Sequence, residues 1–215
     1  MPVGDLGPWQ LHRRRAQCWK NQEIMNIAKG ERSCGLWSST NRCSATRIAD
    51  AIGTGLVDGC VVSVIPVAQA GQDQIKTADL VVVGGPTHVH GMTRASTRQG
   101  AAKMAEEADS SVVLEPDAVA EGLREWLDAL GKSKVGRRAA AFDTRMPGPA
   151  ALTGRASKGI SRALRHHGYE VVADPESFIV TKQNTLEPGE EDRARTWGAR
   201  LAAILAATAT PARGG

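Results

Sequence analysis

A parallel α/β sheet with helices on both faces is the fold class this sequence predicts, and three features predict it. The run "ADLVVVGGP", Ala78 to Pro86, is apolar without interruption, as a strand covered on both faces must be. From Arg47 onward, apolar runs of strand length alternate with segments of helical period. Gly131 and Gly168 stand where helix C-termini favour a left-handed residue.

The elements follow in chain order. A first helix runs from Arg47 to Val57, because Ile48, Ala51, Ile52 and Leu56 recur at helical spacing. "CVVSVIPV", Cys60 to Val67, reads as a strand, and a short polar connection leads to the central strand Ala78 to Pro86. A Ser/Thr/Arg-led helix follows from about Ala95 to Glu107, and after a loop comes the amphipathic "AVAEGLREWLDALG", Ala118 to Gly131. "RRAAAFDTR", Arg137 to Arg145, is the next strand, and "SKGISRALRHHG", Ser157 to Gly168, the next helix. Strand pieces "YEVVA" and "SFIVT" precede a last helix from Glu190 to about Ala207. No internal repeat is visible. One domain is expected over residues 47–207, with residues 1–46 a non-native or disordered N-terminal segment and residues 208–215 a flexible Thr/Ala/Pro/Gly-rich tail.

Composition excludes several classes. With 215 residues and 41% hydrophobic content, the chain is long enough for one sizeable core. No apolar run reaches the length of a membrane span, and Arg13 to Arg15 precede Ala16, Gln17, Cys18 and Trp19 rather than the apolar stretch of a secretory signal. A cytoplasmic protein without a membrane partner is expected. Cys18, Cys34, Cys43 and Cys60 have no CxxC spacing, and the five histidines supply no ligand-spaced partners, so neither a disulfide framework nor a metal site is indicated. The formal net charge of +4 lies wholly in residues 1–46, which hold seven basic and three acidic residues; the remainder is neutral. That segment has no helical repeat and no aromatic interleaving beyond single Trp residues, so no nucleic-acid partner is expected.

In a parallel sheet, ligands bind beyond the carboxyl ends of the strands, where strand order reverses. The loops to inspect are "GGPTHVHGM", Gly84 to Met92, and "FDTRMPGPA", Phe142 to Ala150. Gly84 and Gly85 allow a sharp turn, Pro86 stiffens it, and Thr87, His88 and His90 place polar groups at the rim. Neither histidine has an acid and a nucleophile nearby in sequence, so both read more readily as rim hydrogen-bonders than as catalysts. Asp143 at a strand end serves equally well as a cap for the next turn. Trp126 and Trp197 lie in helical apolar patterns and read as packing residues.

"ADLVVVGGPTHVHGM", "AAAFDTR" and "HGYEVVADPESFIV", occurring in this order, resemble the flavodoxin-like proteins of high-GC bacteria, from about Arg47 to about Ile204. The resemblance implies a five-stranded parallel sheet ordered 2-1-3-4-5 and flavin mononucleotide (FMN) across the strand ends. It implies an electron carrier or small flavin-dependent oxidoreductase, its redox partner protein unknown. Pro86, Thr87, His88, Val89, His90 and Gly91 would border the isoalloxazine ring, and Asp143, Thr144 and Arg145 would form the second wall. His90 takes the place where family members often put an aromatic residue.

The same resemblance calls for a buried strand and a Ser/Thr/Gly-rich phosphate loop immediately before the helix at Arg47. Residues 36–46 contain no glycine, and only Ser44 and Thr46 offer hydroxyls to a phosphate. The codons available to Leu36–Arg47, read one base earlier, can spell "VFYESMFGNT", a strand end running into such a loop. Across Ser33 and Cys34 the same frame can spell a start codon, and Lys29 to Glu31 can encode a ribosome-binding sequence. Residues 1 to about 46 therefore read as out of frame, with the first strand missing or non-native. The alternative reading is a flavodoxin-fold binding or regulatory module without flavin.

Overall fold

The computed structural model describes residues 23–28, 43–57, 61–71, 75, 78–88, 91–92, 122–134 and 136–209. Its strands are β1 (Glu23–Ala28), β2 (Val61–Pro66), β3 (Leu80–Pro86), β4 (Arg138–Arg145), β5 (Glu170–Val171) and β6 (Glu176–Ile179). The α-helices are α1 (Ser44–Leu56), α2 (Leu123–Ala129), α3 (Ala150–Thr153), α4 (Ala156–His166) and α5 (Glu190–Ala209). The expected helix at Ala95 to Glu107, residues 118–121 and the last residues of the tail lie outside the described residues.

The six strands form one sheet ordered β2-β1-β3-β4-β5, and β6 also pairs with β4. β3, β4, β5 and β6 are parallel neighbours, as the unbroken "LVVVGGP" and "RAAAFDTR" require. β5 and β6 lie along the same edge of β4, the first beside Arg138 and Ala139 and the second beside Phe142 to Arg145. Pro175 falls between them. Lacking an N–H and fixed in φ, it interrupts what would otherwise be one edge strand.

One feature of the sheet departs from the all-parallel, five-stranded expectation. The central position is filled by β1, which runs antiparallel to both neighbours, Glu23 beside Gly84 and Ala28 beside Val61. A vacant centre would strand the backbone groups of β2 and β3, and a ladder can satisfy them in either direction. Direction changes the connectivity, however. The carboxyl end of β1 lies at the amino ends of β2 and β3, whereas α1 starts at the opposite end, where the Ser44 hydroxyl donates to the Asn184 carbonyl at 2.6 Å.

Strand alternation divides the core in two. Val81, Val83, Ala139 and Ala141 face α2 and α4 and pack with Leu127, Ile160 and Leu164. Leu80, Val82, Ala140 and Phe142 face α1 and α5 and pack with Ile48, Ile52, Leu56 and Leu201. Both tryptophans read as packing residues are buried: the Trp126 indole donates to the Ala70 carbonyl at 3.3 Å, and Trp197 meets Phe178 edge-on at 6.3 Å. Gly84 is required by the second core, because a Cβ there would lie 2.3 Å from the Phe142 ring.

The two helix-ending glycines divide. Gly168 has φ +87°, and the Tyr169 N–H to Leu164 carbonyl and Gly168 N–H to Arg165 carbonyl bonds, 3.0 Å each, form a Schellman cap closing α4. Gly131 is not left-handed. α2 ends instead on extended Leu130, at φ −66° and ψ 120°, whose N–H reaches the Leu127 carbonyl at 3.2 Å.

Candidate functional site

The loops after β3 and β4 meet at the carboxyl ends of the strands, beside the point where strand order reverses. Pro86 ends β3, and the Thr87 N–H continues the ladder by donating to the Thr144 carbonyl at 2.8 Å. The Thr87 hydroxyl donates to Asp143 Oδ2 at 3.0 Å and accepts from the Ala156 N–H at 3.0 Å. Asp143 Oδ2 also accepts from the Ser157 N–H, at 2.8 Å. These bonds cap α4 from across the sheet. Its own N-cap residue, Arg155, makes no side-chain capping bond, so Thr87 and Asp143 satisfy the first two amides.

Asp143 therefore stands behind the second wall rather than on its surface, with no exposure at all. Of the two roles its position suggests, capping is the one the geometry displays, and the helix it caps begins beyond the next turn. Thr144 is buried as well. Arg145 is half-buried and turned onto its own loop, its Nη1 donating to the Gly148 carbonyl and Thr153 hydroxyl at 2.9 Å each and to the Met146 carbonyl at 3.2 Å. Arg145 thus shapes the 146–153 segment.

On the β3 side, the His88 N–H donates to the Gly91 carbonyl at 2.8 Å and the Gly91 N–H to the His88 carbonyl at 2.9 Å, closing a tight turn. Val89 and His90, expected at the ring, lie outside the described residues. Burial pushes the His88 imidazole below its ordinary value of 6.5, so the fold favours the neutral ring. The unfolded chain then binds the extra proton first. Stability is expected to fall as pH drops through about 6.5 and to level off below the folded value. Melting temperatures between pH 7.5 and 5.5 should fall less steeply in His88→Gln than in the parent chain. His167 is displaced in the same direction, so His167→Gln serves as the comparison.

The two hydroxyls expected to hold a phosphate are already committed. Ser44 donates to Asn184, and the buried Thr46 hydroxyl lies 3.4 Å from Cys43 Sγ. The Thr181–Thr185 turn that receives Ser44 is closed by the Thr181 N–H to Thr185 carbonyl bond at 2.7 Å and by Asn184 at φ +57°. Among the described residues, no strand delivers its carboxyl end to the start of α1, and the two hydroxyls there are engaged within the chain.

Solved structures that resemble the chain include two of the flavodoxin kind. One is a flavodoxin from the domain Archaea, 18% identical, with a TM-score of 0.48, the match covering 79% of this chain and 94% of that one. The other is a flavodoxin, WrbA-like protein from Agrobacterium tumefaciens, 16% identical, with a TM-score of 0.42 and coverage of 75% and 89%. No protein-family model and no curated protein sequence matches the chain. Among the described residues, no helix is long and apolar enough to cross a membrane.

Sequence reasoning overlooks the amides of Ala156 and Ser157, which make the site rigid but carry no side-chain signature. It also overlooks a polar clamp at the β6 edge. There the Arg193 guanidinium lies 4.5 Å over the Phe178 ring and pairs with Glu176 and Glu190, while Glu190 accepts the Ile179 N–H at 2.8 Å. "PES" and the acidic opening of the last helix are the signals that could have located it.

Proposed function

We propose that this chain derives from a flavodoxin-like FMN protein, an electron carrier or small flavin-dependent oxidoreductase, whose phosphate loop is lost as written. What carries the reading is the backbone at β1: the carboxyl end that should open the phosphate loop lies at the wrong end of the sheet, while the β3 and β4 loops are built and braced. That contrast matches the position of the hidden "VFYESMFGNT" frame, which would supply a strand leading directly into α1. FMN supplies the redox chemistry when bound; the protein positions it and sets its electrostatics. In this reading Pro86, Thr87, His88, Val89, His90 and Gly91 border the flavin ring. Thr144 and Arg145 shape the opposite wall, and Asp143 braces both from behind. Ser44 and Thr46 take on a phosphate role only when the preceding loop returns.

The committed hydroxyls of Ser44 and Thr46 favour the second reading, a flavodoxin-fold binding module without flavin. Visible absorbance separates the two. The chain as written and a version carrying "VFYESMFGNT" in place of residues 37–46 are purified with added FMN and dialysed. Flavin absorbance is expected in the restored chain alone. A folded restored chain that remains colourless would remove FMN from the account and leave the binding module.

A further inference from the structure

At the end of the sheet opposite the strand-end loops is a cavity of about 190 Å³ that the proposed function does not use. Its polar wall holds Lys132, Lys134 and Arg137, together with Ser133 and the Tyr169 phenol, and its apolar wall comes from Ile75 and Leu130. Among the described lining residues none is acidic. Three cations around one small concavity concentrate positive charge that a bound anion would neutralise. We infer that this cavity binds a small phosphate monoester, its phosphate among Lys132, Lys134 and Arg137 and a short apolar body against Ile75 and Leu130.

Lys132, Ser133 and Arg137 are held in place before any ligand arrives. Arg137 Nη1 donates to the Ala78 carbonyl at 2.7 Å, Lys132 Nζ donates to the His166 carbonyl, and the Ser133 N–H donates to the His167 carbonyl at 2.7 Å. The Schellman cap at Gly168 locks the backbone that presents Tyr169. Because the Lys132 ammonium has three donors and Arg137 five, the bonds that pin these two side chains leave others for a ligand. Ordering costs at these two positions are therefore small on binding. Beside the cavity, burial first, and then the charges of His166 and Lys132, hold His167 below its ordinary value against the opposing charge of Asp128. Burial also raises the Tyr169 phenol, despite its hydrogen bond to Ser133 and the charge of Arg137, so it remains a neutral hydroxyl at pH 7. Size limits the ligand. Pockets for drug-sized molecules begin at about 300 Å³, so this one suits a compact head group and a few further atoms.

Tyr169 is the chain's single tyrosine, so ring-labelled tyrosine gives one NMR resonance inside the cavity wall. The full chain is titrated with phenyl phosphate, inorganic phosphate and phenol at constant ionic strength. Phenyl phosphate is expected to shift the resonance saturably and to bind several-fold more tightly than inorganic phosphate, with phenol silent. In Lys134→Gln, an exposed position whose change leaves the melting temperature in place, affinity should weaken by about ten-fold, the loss of one charge-assisted contact. The proposal is overturned if no saturable shift appears, if phosphate and phenyl phosphate bind equally, or if Lys134→Gln binds as the parent does.

Discussion

Gly198→Val is expected to lower the melting temperature by roughly 6–12 °C, the value for a loss near 3 kcal/mol in a chain of this size. Gly198 in α5 and Gly55 in α1 mark where the two helices cross backbone to backbone. A Cβ at Gly198 would lie 2.2 Å from the Ile52 carbonyl oxygen, and one at Gly55 would lie 2.0 Å from the Arg195 carbonyl oxygen. Neither neighbour is a side chain that can rotate away. Relief requires the helices to separate, which opens the packing of Ile52, Leu56, Trp197 and Leu201, all 5% exposed or less. Helix propensity acts the other way, favouring a non-glycine residue by up to about 1 kcal/mol, so the observed loss is the clash less that gain. Gly131→Ala is the control: its φ is ordinary and nothing lies within 4 Å of the added carbon. It should be neutral or gain up to about 1 kcal/mol. Calorimetric or circular-dichroism melts decide it, and equal melting points for Gly198→Val and Gly131→Ala would refute the crossing argument.

What the sequence discloses and what it hides separate by range of interaction. β3, β4 and α4 are legible because the cause is local: an unbroken apolar run, a short alanine-rich run, and a helical period closed by Gly168. The division of β5 from β6 is legible in Pro175. β1 is not, because "EIMNIA" carries no more strand signal than its neighbours, and only pairing with residues roughly thirty to sixty positions away gives it a role. Glycines within helical patterns are a weak warning that Gly55 and Gly198 lie at a crossing, but the partner helix cannot be read from them. At the candidate site the sequence marks both loops and the ambiguity of Asp143. The brace joining them is hidden, because it pairs Thr87 with an amide 69 residues away and Asp143 with one 14 away.

Asp143→Ala should cost roughly 2–4 kcal/mol, and Asp143→Asn only about 1 kcal/mol. The alanine variant removes the acceptor shared by the Ser157 N–H and the Thr87 hydroxyl, leaving buried donors without partners at the start of α4. Hydrogen bonds to a charged group contribute about 1.5–3 kcal/mol each, which sets the upper end. The lower end reflects an offset: Asp143 Oδ1 is buried with no hydrogen-bond partner, so deleting the carboxylate also relieves a desolvation cost. Asparagine keeps one acceptor oxygen for both donors and loses mainly the attraction between a negative charge and the helix N-terminus. Thr87→Val tests the other half of the brace, and the two positions should couple by about 0.5–3 kcal/mol in a double-mutant cycle because they share one hydrogen-bond network. Denaturant unfolding supplies the energies. Amide NMR shifts at His88 and Gly91 supply a second readout, because releasing Thr87 from Asp143 frees the β3 loop from α4 even where the core remains folded. If alanine and asparagine prove equally mild and those shifts stay in place, Asp143 does not brace the site, and the rigidity of the β3 loop must come from the Thr87 N–H to Thr144 carbonyl bond alone.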